Sequence, residues 1–327
     1  MVTGIRLPFD LPEQAAIAEA RRLTGLTAND IQAAVCRVSI DARRGQISRV
    51  YSVRLDAPFD EKAFAEKLQM PFVRYKPNTK IVIPHGEKRL EHRPVVVGLG
   101  PAGLFAAYVL AKHGYRPLVL ERGGDLNERD KVVDAFWKGG ALDTDCNIQF
   151  GEGGAGTFSD GKLYTRSKKR GDVRRAMEIL VYHGANPDIL IEAHPHVGTD
   201  KLPGVIVNIR KTIQKQGGEI RFGCRVTDLI IRENSIRGVI AGGHEIVTRH
   251  VILATGHSAR DVYRMLQRQA VRMEPKDFAV GLRLEHPQQE IDRIQYHTPE
   301  GRGKWLPAAE YNFVTNIDGR GVYSFCM

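Results

Sequence analysis

Cysteine is scarce in this chain. Four in 327 residues, at Cys36, Cys146, Cys224 and Cys326, form neither a C-x-x-C pair nor a zinc-ligand spacing. That pattern excludes a disulfide scaffold and gives metal binding no support. The opening Met1-Val-Thr-Gly-Ile-Arg-Leu-Pro8 has no apolar signal core, and the expectation is a reduced, cytoplasmic protein. Low-complexity stretches are missing, and the 33 glycines follow no repeat, which excludes collagen-like and disordered classes. The longest uncharged run, Pro94 to Ala111, is broken in its middle by Gly-Leu-Gly-Pro-Ala-Gly; in lipid that break would leave backbone groups unpaired, so no membrane span is expected.

One sign of charge does not dominate locally either. The net charge of +10 divides evenly: residues 1–90 hold 15 basic and 10 acidic side chains, residues 91–327 hold 33 and 28. Such a balance suits anionic ligands, including a dinucleotide, and leaves nucleic acid disfavoured. The densest basic run is Lys162, Arg166, Lys168, Lys169, Arg170, Arg174 and Arg175. It lacks interleaved aromatics and reads first as a solvated loop leading into a helix, with RNA phosphates as the other reading.

The informative segment is Arg93 to Glu121. Val95–Val97 is a short apolar strand, and Gly98, Gly100 and Gly103 give the G-x-G-x-x-G spacing of a βαβ dinucleotide turn. In that turn the first glycine permits the sharp bend, the second lets a pyrophosphate approach the backbone, and the third lets the helix lie close on the sheet. Pro101 and Ala102 lie in the turn, and the helix runs over Leu104 to His113 and points its N-terminal amides at the phosphates. Gly114 ends it, Leu118–Leu120 returns as a strand, and the Glu121 carboxylate arrives where a ribose diol would sit and a 2′-phosphate would be repelled. Arg122 follows directly. The one other G-x-G-x-x-G, at Gly151, Gly153 and Gly156, has no apolar strand before it and so marks no second Rossmann unit; a nicotinamide donor, NAD(P)H, would bind only transiently.

Residues 1–75 form an expected small α/β module: strand Ile5–Phe9, a helix capped by Asp10, a hairpin of Val35–Ile40 and Val50–Leu55 around Arg43-Arg-Gly45, and a helix from Asp60 to Gln69. Period-two alternation puts Cys36, Val38 and Ile40 on one face, with Cys36 in the core. Residues 76–92 are the expected linker, 93–268 the dinucleotide domain and 269–327 a partial cap or substrate domain. Within the second of these, Asn147–Lys162 is another glycine-rich loop, Asp172–His183 a helix, and Thr199 caps a helix running to Gln216. Four strands at Glu219–Cys224, Val226–Arg232, Ser235–Ala241 and Glu245–Val247 read as a β-meander. His250–Ala254 is a buried strand ending Ala254-Thr-Gly256, and Ser258 with Asp261 makes a capping box for a helix to Gln267. Asp277–Glu285 alternates like a strand of another sheet.

The ordered set of glycine turn with Glu121, second glycine loop, meander and Ala-Thr-Gly strand resembles the FAD-binding fold of glutathione-reductase-type flavoproteins. The strings Phe150-Gly-Glu-Gly-Gly-Ala-Gly-Thr-Phe-Ser-Asp-Gly-Lys-Leu163, Gly256-His-Ser-Ala-Arg-Asp261, Phe278-Ala-Val-Gly-Leu-Arg-Leu-Glu-His-Pro287 and Tyr323-Ser-Phe-Cys-Met327 resemble a largely uncharacterised family of bacterial-type FAD-dependent dehydrogenases. The resemblance implies an α/β Rossmann-like FAD domain and a C-terminally truncated chain, since relatives continue further. It implies that Gly98, Gly100, Pro101, Ala102 and Gly103 line the pyrophosphate and that Glu121 and Arg122 lie at the adenosine end. Gly153, Gly154, Ala155, Gly156, Thr157 and Ser159 pack along the flavin, Val226 presents its backbone to adenine, and Ala254, Thr255 and Gly256 pass close to the cofactor. Flavin disulfide reductases carry a cysteine pair in the loop corresponding to Gly153–Gly161; none stands here, which excludes that mechanism.

The function so implied is an FAD-dependent oxidoreductase acting on a small-molecule substrate or electron acceptor, with Arg283, Glu285 and His286 as substrate-side candidates leaving a cap strand. Its rivals are an FAD-containing RNA-binding or RNA-modifying protein and a non-catalytic dinucleotide module. Cys146, shortly before the glycine loop, is either a small buried apolar residue or a thiolate beside the flavin; the structural reading is preferred.

Overall fold

The computed structural model describes residues 1–42, 47–77, 83–84, 86–159, 161–163, 173–304 and 306–324. The Arg43–Gly45 turn, most of the basic run (Arg166 and Lys168–Arg170), Asp172 and the Phe325–Met327 end lie outside the described residues. The chain divides into two compact units, residues 1–82 with 187–195 and 278–327, and residues 83–186 with 196–277.

In the first unit, β1 (Val2–Pro8) is followed by α1 (Glu13–Thr24), β2 (Gln32–Asp41), β3 (Ser48–Asp56) and α2 (Glu61–Leu68). The three strands form an antiparallel sheet in the order β1-β3-β2. Val2, Ile5, Ala16, Ala20, Ile31, Tyr51, Val53 and Leu55 make its core. Asp60 caps α2, its carboxylate accepting from the Lys62 and Ala63 amides at 3.0 Å. The expected Asp10 cap of α1 is not made: the cap position is Pro12, whose extended backbone starts the helix too far along the chain for Asp10 to reach. Cys36 is also not in the core. A register shift between Val35 and Arg37 inserts an extra residue at Cys36, so Val35 and Val38 both pack on the core and the strict two-residue period fails there.

Among the described residues the Tyr51 hydroxyl has no hydrogen-bond partner, and it is buried on a side chain with no exposed surface. Tyr51→Phe is therefore expected to raise the stability of this unit by about 1 kcal/mol, because it removes an unpaired polar group and keeps the ring. Chemical denaturation that finds the phenylalanine variant weaker would refute this.

In the first unit the segment 187–195 runs along β2, with the Val38 amide donating to Ile191 O at 2.7 Å and the Ala193 amide to Val38 O at 3.0 Å. The same unit contains α8 (Gln288–Tyr296) and a hairpin of β11 (Val314–Ile317) and β12 (Arg320–Tyr323). The expected Asp277–Glu285 strand is not formed, and Phe278, Val280, Leu282 and Leu284 are 71% exposed or more. Alternation alone does not make a strand; the backbone needs a ladder partner, and none pairs with this segment among the described residues.

The second unit is built on a parallel sheet. β4 (Val95–Val97), α3 (Pro101–Lys112), β5 (Leu118–Leu120), α4 (Leu126–Trp137), α5 (Val173–Tyr182), α6 (Leu202–Lys215) and β6 (Glu219–Arg221) precede an antiparallel meander of β7 (Val226–Arg232), β8 (Ser235–Ala241) and β9 (His244–Val247). β10 (Val251–Leu253) and α7 (Arg260–Arg268) follow. Sheet order is β10-β4-β5-β6, all parallel, so this is an α/β Rossmann-like fold. The inner strands are continuous apolar triplets because both faces are covered. Residues 219–221 thus correct the four-stranded meander: they pair with Leu118–Leu120 as the return of a helical crossover, and the meander has three strands.

Two further caps differ from expectation. α6 begins at Leu202, with Pro203 in its first turn and the Lys201 and Leu202 amides donating to Gly198 O, and no side chain caps it, so Thr199 is not the cap. α7 begins after Ala259, also without a side-chain cap. Ser258 donates instead to Gln149 Oε1 at 3.3 Å, and Asp261 is taken by arginines.

Candidate functional site

Four loop segments of the second unit meet at the C-terminal edge of the parallel sheet. Gly98 leaves β4 with φ +98°, a left-handed conformation, and a Cβ on it would lie 2.5 Å from Ala254 O. A Cβ on Gly103 would sit inside the van der Waals sphere of Gly98 O and 3.4 Å from Ala254 Cβ. Gly100 is the N-cap of α3 and Pro101 occupies the first turn, so the Ala102 and Gly103 amides have no acceptor within their own helix. Gly154 abuts this turn: a Cβ built on it would lie 3.0 Å from Gly100 Cα and 3.3 Å from Pro101 Cδ. Around Gly100 and Gly154 the two loops offer backbone alone, a cradle that a side chain would fill.

Glu121 is 4% exposed, and its carboxylate binds protein on both oxygens. Oε2 accepts from the Leu99 amide at 2.6 Å, and Oε1 from the Gly123 and Gly151 amides at 2.9 and 3.0 Å. The group therefore ties both glycine loops to the end of β5, and of its roughly four lone-pair sites one, on Oε2, takes no hydrogen bond among the described residues. Arg122 is committed elsewhere. It pairs with Asp261 at 2.7 Å and Asp145 at 3.5 Å and covers the Phe150 ring, while Arg225 bridges the same two carboxylates at 3.0 and 3.4 Å. Burial works against ionisation of Asp261, but the Arg122 hydrogen bond and the charges of Arg122 and Arg225 prevail and hold its carboxyl below the usual range.

The second glycine loop folds into a short 3-10 turn over Gly154–Phe158. Gly153 and Gly154 are buried, Ala155 is exposed, and Thr157 donates to Glu152 O at 3.2 Å. The Ser159 hydroxyl closes a local turn on Gly156 O at 2.8 Å. Val226 is buried at the start of β7, next to Cys224, whose amide donates to Glu121 O at 2.8 Å. Thr255 is half-buried and Gly256 exposed at the end of β10. Cys146 is buried, its sulfur 3.4 Å from the Gly124 amide.

Beneath the loop lies a charge network that sequence reasoning missed. Arg129, with no exposed surface, donates to the carbonyls of Asn147, Ile148, Glu152 and Gly154 at 2.6–2.9 Å and to Thr157 Oγ1 at 3.1 Å. Burial pulls its guanidinium down to about 10, so it remains a cation at neutral pH. Glu152, also fully buried, faces Arg210 at 2.7 Å and accepts from the Leu126 amide; burial pushes its carboxyl up against the pull of Arg210. The signal was present in α4, where Leu126, Arg129 and Val133 share the buried face: an arginine in an apolar stripe.

The substrate-side candidates belong to the first unit. Arg283, Glu285 and His286 are exposed, and His286 Nε2 lies 3.0 Å from Tyr311 Oη. No strand carries them.

Two family models match the chain: an NAD(P)-binding Rossmann-like domain over residues 96–133, and the C-terminal-domain-like region of FAD-dependent proteins over residues 277–327. The cofactor is FAD. An uncharacterized protein of Clostridium beijerinckii is 41% identical over 297 residues, 90% of this chain and 55% of the relative. A probable electron transfer flavoprotein-quinone oxidoreductase, YdiS of Escherichia coli, is 28% identical over 218 residues, 65% of this chain and 47% of its own length. Among solved structures, THI4 of Thermovibrio ammonificans is similar over 56% of this chain and 64% of its own, with a TM-score of 0.38 and 22% identity. The chain spans about half the length of the curated relatives it matches.

The residues fit FAD. The glycine cradle and the α3 amides suit a diphosphate, and the buried Glu121 carboxylate would repel a 2′-phosphate. None of these matches carries an RNA-binding description, and nothing supports the RNA reading. Among the described residues no helix is long and apolar enough to cross a membrane.

Proposed function

We propose that the protein is an FAD-dependent oxidoreductase of glutathione-reductase-type domain architecture, moving a hydride equivalent to or from a small-molecule substrate or electron acceptor. The observation that carries this reading is the meeting of Gly98–Gly103, Glu121, Gly153–Thr157 and Ala254–Gly256 at one sheet edge around the α3 N-terminus. When bound, the isoalloxazine supplies the two-electron chemistry. The chain's part is to bind and orient. The Ala102 and Gly103 amides receive the diphosphate, the free lone pair of Glu121 receives one ribose hydroxyl, and the second loop with Ala254–Gly256 closes the cleft against water. Val226 sets the adenine end. Arg283, Glu285 and His286 are the proposed substrate contacts, with Tyr311 orienting the His286 ring. NAD(P)H, if it is the donor, binds transiently and without its own Rossmann unit.

Purified protein is expected to be yellow and, on denaturation, to release a flavin that chromatography identifies as FAD. A colourless preparation that takes up no FAD on titration would overturn the proposal.

A further inference from the structure

We propose that Arg129 is a positioning residue for the diphosphate cradle, holding the second glycine loop against the N-terminus of α3. The inference rests on the dinucleotide reading above. Five acceptors surround the guanidinium, four of them backbone carbonyls of the Asn147–Gly154 segment. A planar fork of five N–H donors matches such a ring, which the three donors of a lysine ammonium cannot. Because Arg129 takes the carbonyls of Glu152 and Gly154 from beneath, the peptide planes between them turn their amides the other way. The Gly153 amide accordingly donates to Leu99 O at 2.8 Å, in the first glycine turn, and Gly154 rests on Gly100 and Pro101. Glu121 fastens the same two loops from the opposite end through Leu99 and Gly151. Space confirms the fit: a Cβ on Gly151 would meet Arg129 Cδ at 2.6 Å, so the loop lies directly on the arginine stem.

With no exposed surface, the Arg129 side chain does not reach the cradle itself; it acts through Gly154. The separation between the two glycine loops sets whether a diphosphate is gripped, whereas the proposed adenine end is Val226 on β7; the hydrogen bonds of the Arg129 side chain run to the second glycine loop and the residues just before it. Its loss should therefore weaken ligands that carry a diphosphate and spare those that do not.

The test compares FAD, ADP and adenosine binding to the wild type, Arg129→Lys and Thr157→Val, by calorimetry with ligand-observed NMR for adenosine. Arg129→Lys should lose about ten- to a hundredfold in affinity for FAD and ADP, the scale of a charged hydrogen bond, with adenosine unchanged. Thr157→Val keeps the buried charge and removes one acceptor; about a threefold loss for ADP is expected, again without loss for adenosine. It carries the comparison by itself should the lysine variant not fold. Equal losses for ADP and adenosine would mark a general structural role and overturn the inference, as would ADP affinity unchanged in both variants. Wild-type protein that binds ADP and refuses FAD would overturn the proposed function and leave the role of Arg129 standing.

Discussion

Gly103→Ala is expected to destabilise the dinucleotide unit by about 3 kcal/mol, the upper part of the range for overpacking, because the new methyl would meet a backbone oxygen that cannot rotate away. That oxygen belongs to Gly98, itself pinned by the hydrogen bond its amide donates to Leu120 O at 2.8 Å and by the adjacent Ala254 carbonyl. Alanine's usual helical advantage over glycine, at most about 1 kcal/mol, has the opposite sign and is too small to compensate. Gly100→Ala should behave differently. Its Cβ would find only Gly154 Cα at 3.8 Å, an ordinary contact, and its backbone lies at φ −70°. The fold should survive while the methyl occupies the diphosphate path and FAD binding is lost. Thermal unfolding of the two variants without cofactor, followed by FAD titration, separates these outcomes. Equal stability of Gly103→Ala and wild type would show that the helix can slide away from β4 and that the third glycine is not a packing requirement.

The contrast between these glycines explains what was legible in the sequence. Glycine spacing, an apolar triplet on each side and an acidic stop are local signals, each with its own steric cause, and the structure forms β4 and β5 at the expected residues, with α3 between them starting three residues earlier than expected, at Pro101, whose fixed φ suits a first helical turn. Signals that depend on a distant partner misled. Ser258 and Asp261 have capping-box spacing, but a serine within reach of Gln149 and an aspartate between two arginines form those contacts instead. Glu219–Arg221 has no pattern beyond one isoleucine, so only its neighbour β5 defines it as a parallel strand. Cys36 shows the limit of period counting, because a bulge inside β2 changes which residues face the core. Arg129 was missed for a related reason. A buried cation is made tolerable by carbonyls, and carbonyls are the same in every sequence.

Glu121→Ala is expected to remove more than a ribose contact. Read as a ribose ligand alone, this carboxylate accounts for about ten- to a hundredfold in FAD affinity. Among the described residues it is the only acceptor for the Leu99, Gly123 and Gly151 amides, and it sits where water has little access. Each buried amide left without an acceptor costs about 1–3 kcal/mol, so the set should cost about 4 kcal/mol, a large share of the stability of a typical domain. Loss of FAD would then be a consequence of two glycine loops coming apart. Glu121→Gln should fall between: its carbonyl can serve one side of the site, but its NH2 group would confront an amide donor on the other, for a loss of about 2 kcal/mol. Denaturation of the cofactor-free variants distinguishes the two accounts. If Glu121→Ala matches the wild type in stability without cofactor and differs only in FAD affinity, the carboxylate is a ribose ligand and the loops are held by other contacts. If stability falls in the order wild type, glutamine, alanine before any FAD is added, the acidic stop of the dinucleotide motif serves this fold first as a backbone clamp.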